Sequence, residues 1–115
     1  MRQVAACRTS SSHNAYEQRT KPMKVYQVSY DLRKQRNYDA LYERIKSYGS
    51  WCHALESSWA IATDQTAGQV LEYLSPALDR DDGLLVTRLH GEAAWMGLDP
   101  KVSDWLKQQL ERQAA

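Results

Sequence analysis

Between Lys24 and Tyr30 (KVYQVSY) the side chains alternate with a period of two, Val25, Gln27 and Ser29 on one face and Tyr26, Val28 and Tyr30 on the other. Rich in Val and Tyr, this segment predicts a β-strand. After a polar stretch the period changes. Tyr38, Leu41, Tyr42, Ile45 and Tyr48 recur every three or four residues, which predicts a helix of about three turns with Asn37 as its N-cap and Gly49 as its stop. Residues 50–55 (SWCHAL) and 58–63 (SWAIAT) read as two short strands joined at Glu56-Ser57. Thr66 with Gln69 forms a capping-box pattern ahead of Val70, Leu71, Leu74 and Leu78, and predicts a second helix that Pro76 tightens or ends. Asp79-Arg80-Asp81-Asp82-Gly83 then reads as a solvated turn into a strand, LLVTRL, at 84–89.

The order strand, helix, strand, strand, helix, strand fits an α+β fold, a ferredoxin-like βαββαβ sandwich in which an antiparallel sheet carries both helices on one face. Such a sheet leaves its other face uncovered, and the four Trp and seven Tyr imply that something covers it. Asp99 as N-cap, Pro100 at the first helical position, and Val102, Trp105, Leu106 and Leu110 along one stripe predict a C-terminal amphipathic helix over 99–113. Its stripe must dock on the body of the protein or on a partner. The segment HGEAAWMGL (90–98) is too apolar for a free linker and is expected as an extra edge strand or a docked loop. Residues 1–22 show neither period and read as a basic, unstructured tail that contributes little to folding. The folded domain is thus expected over 23–98.

At 115 residues and 43% apolar content, the chain has room for one small core and none for separate substrate and cofactor domains. The formal charge of +1 hides an asymmetry: Arg2, Arg8, Arg19 and Lys21 against Glu17 make the tail +3 and leave the remainder at −2. Nucleic-acid binding would therefore need a local basic patch. Cys7 and Cys52 are too few for a disulfide framework, which suggests a reducing, cytoplasmic setting, and no apolar run is long enough for a membrane span. Adjacent strand residues face opposite ways, so Cys52 and His53 do not jointly chelate zinc. GEAAWMG lacks the pattern of a phosphate loop, and no nucleotide cofactor is expected.

The chemistry concentrates where the first long strand ends. Asp31 is followed by Arg33, Lys34 and Arg36. A fixed carboxylate suits a hard cation such as Mg²⁺ or Mn²⁺, and the cations beside it suit phosphate. One carboxylate alone is a weak ligand set, so the site would need two copies of Asp31 brought together in a homodimer. An Asp that simply caps its turn and a solvated loop are the plainer alternatives. Tyr30, Trp51, Trp59 and Trp95 are candidates for base stacking, although aromatics with no basic neighbours more often pack a core.

Tyr30-Asp31-Leu32, the basic loop, Lys46-Ser47-Tyr48-Gly49 and Leu55-Glu56-Ser57-Ser58-Trp59 together resemble the small CRISPR-associated endonuclease and adaptor family and its VapD-like ribonuclease relatives, across about residues 23–89. The segment after residue 89 departs from that pattern and looks closer to a divergent, SinR-like branch. The resemblance implies a ferredoxin-like protomer, a homodimer, and a divalent ion between paired aspartates matching Asp31. The expected function is a metal-dependent endonuclease, with RNA favoured over DNA. The alternative is a noncatalytic homodimer that binds nucleic acid or protein.

Overall fold

The computed structural model describes residues 6–9, 23–34 and 37–114. Its elements in chain order are β1 (Cys7–Arg8), β2 (Lys24–Asp31), α1 (Asp39–Lys46), β3 (Trp51–Leu55), β4 (Ser58–Thr63), α2 (Ala67–Leu74), a 3₁₀ turn (Ser75–Ala77), β5 (Gly83–Leu89) and α3 (Pro100–Ala114). The strands form one sheet in the order β1-β3-β4-β2-β5, with every pairing antiparallel. β2 lies between β4 and β5, so that Val28 stands opposite Trp59 on one side and Val86 on the other.

Strand alternation sorts the side chains into two cores. Tyr26, Val28 and Tyr30 of β2 join Trp51, Trp59 and Ile61 under α1 and α2, which contribute Leu41, Ile45, Val70 and Leu74. Val25, Cys52, Ala60 and Ala62 point the other way and meet Val102, Trp105, Leu106 and Leu110 of α3. The C-terminal helix therefore covers part of the face that the other two helices leave open. The small Ala60 and Ala62 leave room for Trp105, as close packing requires. Segment 90–98 contains no strand; Trp95 and Leu98 pack against this second core, and Trp95 Nε1 donates to Ser103 Oγ at 3.1 Å.

α1 is shorter than its periodicity suggests. Tyr38 is buried just outside the helix, Asn37 Oδ1 accepts from the Asp39 amide at 2.7 Å, and the chain leaves through Gly49 at φ 86°, a left-handed geometry that glycine adopts without penalty. α2 starts with the expected capping box: the Gln69 amide donates to Thr66 Oγ1 at 3.2 Å, and the Thr66 amide donates to Gln69 Oε1 at 2.8 Å. Thr66→Ala is expected to cost about 1 kcal/mol. That loss would lower the midpoint of thermal unfolding by about 4–8 °C, measurable by circular dichroism.

The tail differs from the sequence expectation. Cys7–Arg8 pairs with Trp51 and Cys52 at the outer edge of β3. The His53 amide donates to Ala6 O at 2.7 Å, Trp105 Nε1 donates to Arg8 O at 3.2 Å, and Cys7 is disulfide-bonded to Cys52, their Cα atoms 4.0 Å apart. A two-residue strand with these few hydrogen bonds, each of net value about 1 kcal/mol, barely offsets an ordering cost of about 1–2 kcal/mol per residue. The covalent bridge is what makes the docking secure. Residues 1–5 and 10–22 of the expected tail lie outside the described residues.

Candidate functional site

Asp31 closes β2 opposite Gly83, the first residue of β5. This pairing sets the turn before β5 beside the basic loop after β2. Arg33 turns back on its own strand: its Nε and Nη2 donate to Asp31 Oδ2 at 3.2 and 3.1 Å, and its Nη1 donates to Asp81 O at 2.6 Å. The Arg33 amide donates to Asp82 Oδ1 at 2.8 Å, and Lys34 Nζ lies 3.2 Å from Asp81 Oδ2. Asp82 organises this corner, accepting also from the Tyr38 hydroxyl at 2.8 Å and from the Asp79 amide at 2.8 Å. Burial first, and then the Asp82 carboxylate, push the Tyr38 hydroxyl pKa upward.

The carboxylate and the cations are legible in the sequence, but their partners, Asp81 and Asp82, are not. The DRDD run was visible; its nearness follows only from β5 pairing with β2. Among the described residues the corner carries Asp31, Asp79, Asp81 and Asp82 against Arg33, Lys34 and Arg80. It is not a cationic patch. Arg36 lies outside the described residues. For a divalent cation the single chain is a poor host: the Asp31 carboxylate already holds a guanidinium, and among the described residues no cluster of three or more His, Cys, Asp or Glu could hold a metal. The Asp31 and Arg33 side chains are 71% and 57% exposed, so their ion pair contributes only about 0–1 kcal/mol and can open at little cost.

The four aromatics do not form a stacking platform. Tyr30, Trp51 and Trp59 are buried under α1 and α2, while Trp95 is packed in the second core. His53 stacks on Trp59 with ring centroids 4.1 Å apart and planes 7° from parallel, and Cys52 lies on the other face, as alternation requires. Burial, partly offset by the Trp59 indole donating at 2.9 Å, pushes the Tyr30 hydroxyl up to about 12; burial and then Tyr73 push Tyr48 to about 12. Both stay protonated in the fold where unfolded tyrosines ionise near pH 10. The unfolded state then binds fewer protons, so this contribution to stability is present below pH 10 and is lost as pH rises toward about 12. Absorbance titration of tyrosinate alongside thermal melts should show both effects.

The α3 side of the sheet is covered at one end only. From Val25 under α3, alternation carries Gln27, Ser29 and Asp31 along the same face toward the far end. There Gln27 Nε2 donates to Ser58 Oγ at 2.9 Å, and the Ser29 and Ser58 hydroxyls are 3.1 Å apart. Leu85 stands opposite Ser29 on β5 and is 63% exposed; Leu55 is 55% exposed. A groove of about 210 Å³ separates this strip from α3, with Gln27, Ser58, Trp95, Leu106 and Leu110 among its walls. Polar groups that already satisfy one another, set among exposed leucines, can be covered by another surface at low desolvation cost. Among the described residues no helix is long and apolar enough to cross a membrane. Set against known protein families, curated proteins and solved structures, the chain matches none of them.

Proposed function

We propose that the chain works as a protein-interaction homodimer, two copies meeting through the open end of the α3-side sheet face and the neighbouring outer strand β5. The observation that carries this reading is Leu85, 63% exposed in the middle of an edge strand. An outer strand with an apolar side chain at its centre is a pairing hazard unless it has a partner, and a two-fold axis lets one patch serve both copies. The strand order β3-β4-β2-β5 supports reading β2-α1-β3-β4-α2-β5 as a ferredoxin-like unit, to which β1 and α3 are additions. Kinship with the small CRISPR-associated and VapD-like proteins, in a SinR-like branch, rests on the sequence resemblance.

Leu85→Lys tests the interface. It leaves both cores untouched and places a charge in the contact, so self-association should weaken by more than about tenfold, equivalent to 1.4 kcal/mol, while the thermal transition of the protomer is retained. Unchanged association would remove Leu85 from the contact.

A second reading, the endonuclease, rests on Asp31 lying on that same face and being exposed, so that a dimer formed there can bring two copies near its axis. It requires Arg33 to release the carboxylate. With RNA and DNA oligonucleotides in Mg²⁺ or Mn²⁺, cleavage abolished by Asp31→Asn in an intact dimer would establish it. Absence of cleavage, with no oligonucleotide binding at 0.15 M salt, leaves the interaction homodimer.

A further inference from the structure

We infer that Cys7 and Cys52 form a thiol–disulfide clasp that decides whether the N-terminal strand lies on the sheet, so that the outer edge of β3 is covered when the pair is oxidised and open when it is reduced. The two cysteines are direct cross-strand partners in the β1-β3 ladder, a register in which their side chains leave the same face of the sheet. Cys52 is fully buried under α3, whereas Cys7 is only partly buried. Beyond the bridge, β1 is held by a two-residue ladder, the His53 amide on Ala6 O and the Trp105 indole on Arg8 O. So short a strand depends on its covalent link, and losing it returns the His53 amide to solvent.

Exposure assigns the order of events. With a low-molecular-weight disulfide as oxidant, the Cys7 thiol loses its proton and its sulfur attacks one sulfur of that disulfide, breaking the S–S bond and releasing one thiolate. The Cys52 thiol, deprotonated in turn, attacks the Cys7 sulfur of the mixed disulfide and expels the second thiolate. Two cysteine thiols are oxidised by two electrons, one small disulfide is reduced to two thiols, and the two cysteine protons end on the released thiolates. A dithiol reductant runs the same exchange backwards. The two-cysteine count excludes a disulfide framework, but it leaves room for a single reversible bridge of this kind.

The test uses the full chain equilibrated with glutathione disulfide or with dithiothreitol. The readouts are alkylation mass spectrometry and hydrogen exchange of the peptide containing His53. After glutathione disulfide the protein should be lighter by two hydrogens, resist alkylation and protect His53. After dithiothreitol it should take two alkyl groups, and His53 should exchange roughly tenfold faster or more. Cys7→Ser should exchange rapidly in both conditions; the reduced wild-type chain gives the same readout without a substitution. Thiols that stay alkylatable in glutathione disulfide would overturn the clasp, as would a bridge between two copies. So would a bridge within the chain that leaves His53 exchange the same in both states.

Discussion

Replacing Trp59 with alanine is expected to lower the free energy of unfolding by about 3–5 kcal/mol, as for other buried aromatics truncated to alanine. The side chain is fully buried on β4 and sits where both helices of the first layer meet the sheet. Its ring stacks on His53, lies 6.0 Å from Tyr42 and 5.5 Å from Trp51, and donates to the Tyr30 hydroxyl at 2.9 Å. Alanine would leave a void among these rings and remove a donor from Tyr30, whose hydroxyl is itself nearly buried. Against a total stability of about 5–15 kcal/mol, the loss is large enough to populate the unfolded state. Urea unfolding followed by circular dichroism measures it. Trp59→Phe, which keeps most of the ring and loses the donor, should fall well short of the alanine value. A loss below about 1 kcal/mol for Trp59→Ala would mean that this core is not packed as described.

Cys7→Ser is expected to cost about 2–4 kcal/mol under oxidising conditions and almost nothing in reductant. The bridge closes a sequence separation of 45 residues, for which loop-closure entropy sets a ceiling of about 4 kcal/mol. Residual denatured-state structure reduces the realised value. A chain beginning at Met23 lacks the same link and should lose a similar amount under oxidising conditions. That is the reverse of the small contribution expected for residues 1–22 from composition alone. Equal midpoints for wild type and Cys7→Ser in oxidising urea titrations would show that the bridge carries no stability.

The parts of this fold that were legible from sequence are those whose signal is local. Alternation in KVYQVSY, the Thr66/Gln69 pair and the Asp99-Pro100 start each determine backbone and face by chemistry within a few residues; all three stand in the structure, Asp99 Oδ1 accepting from the Lys101 amide at 2.8 Å. What was not legible depends on register between distant segments. Cys7 meets Cys52 only because β1 adds to β3, and no period in residues 1–22 announces a strand two residues long. The partners of Arg33 and Lys34 were hidden in the same way. A run of three cations after Asp31 reads as a phosphate loop until β5 pairs with β2 and sets Asp81 and Asp82 beside it. The docking of α3 lay between these cases: its apolar stripe was plain, but that the stripe meets Val25, Cys52, Ala60 and Ala62 of its own sheet is visible only in the fold.

In the proposed homodimer the open sheet face of one copy is closed by another. Sedimentation equilibrium of the full chain at low micromolar concentration and 0.15 M salt measures this, with Leu85→Lys run beside it. The wild type should have a mass near twice 13.2 kDa, and the variant should shift toward 13.2 kDa. A wild-type protein that stays at 13.2 kDa, with no concentration dependence, would contradict it.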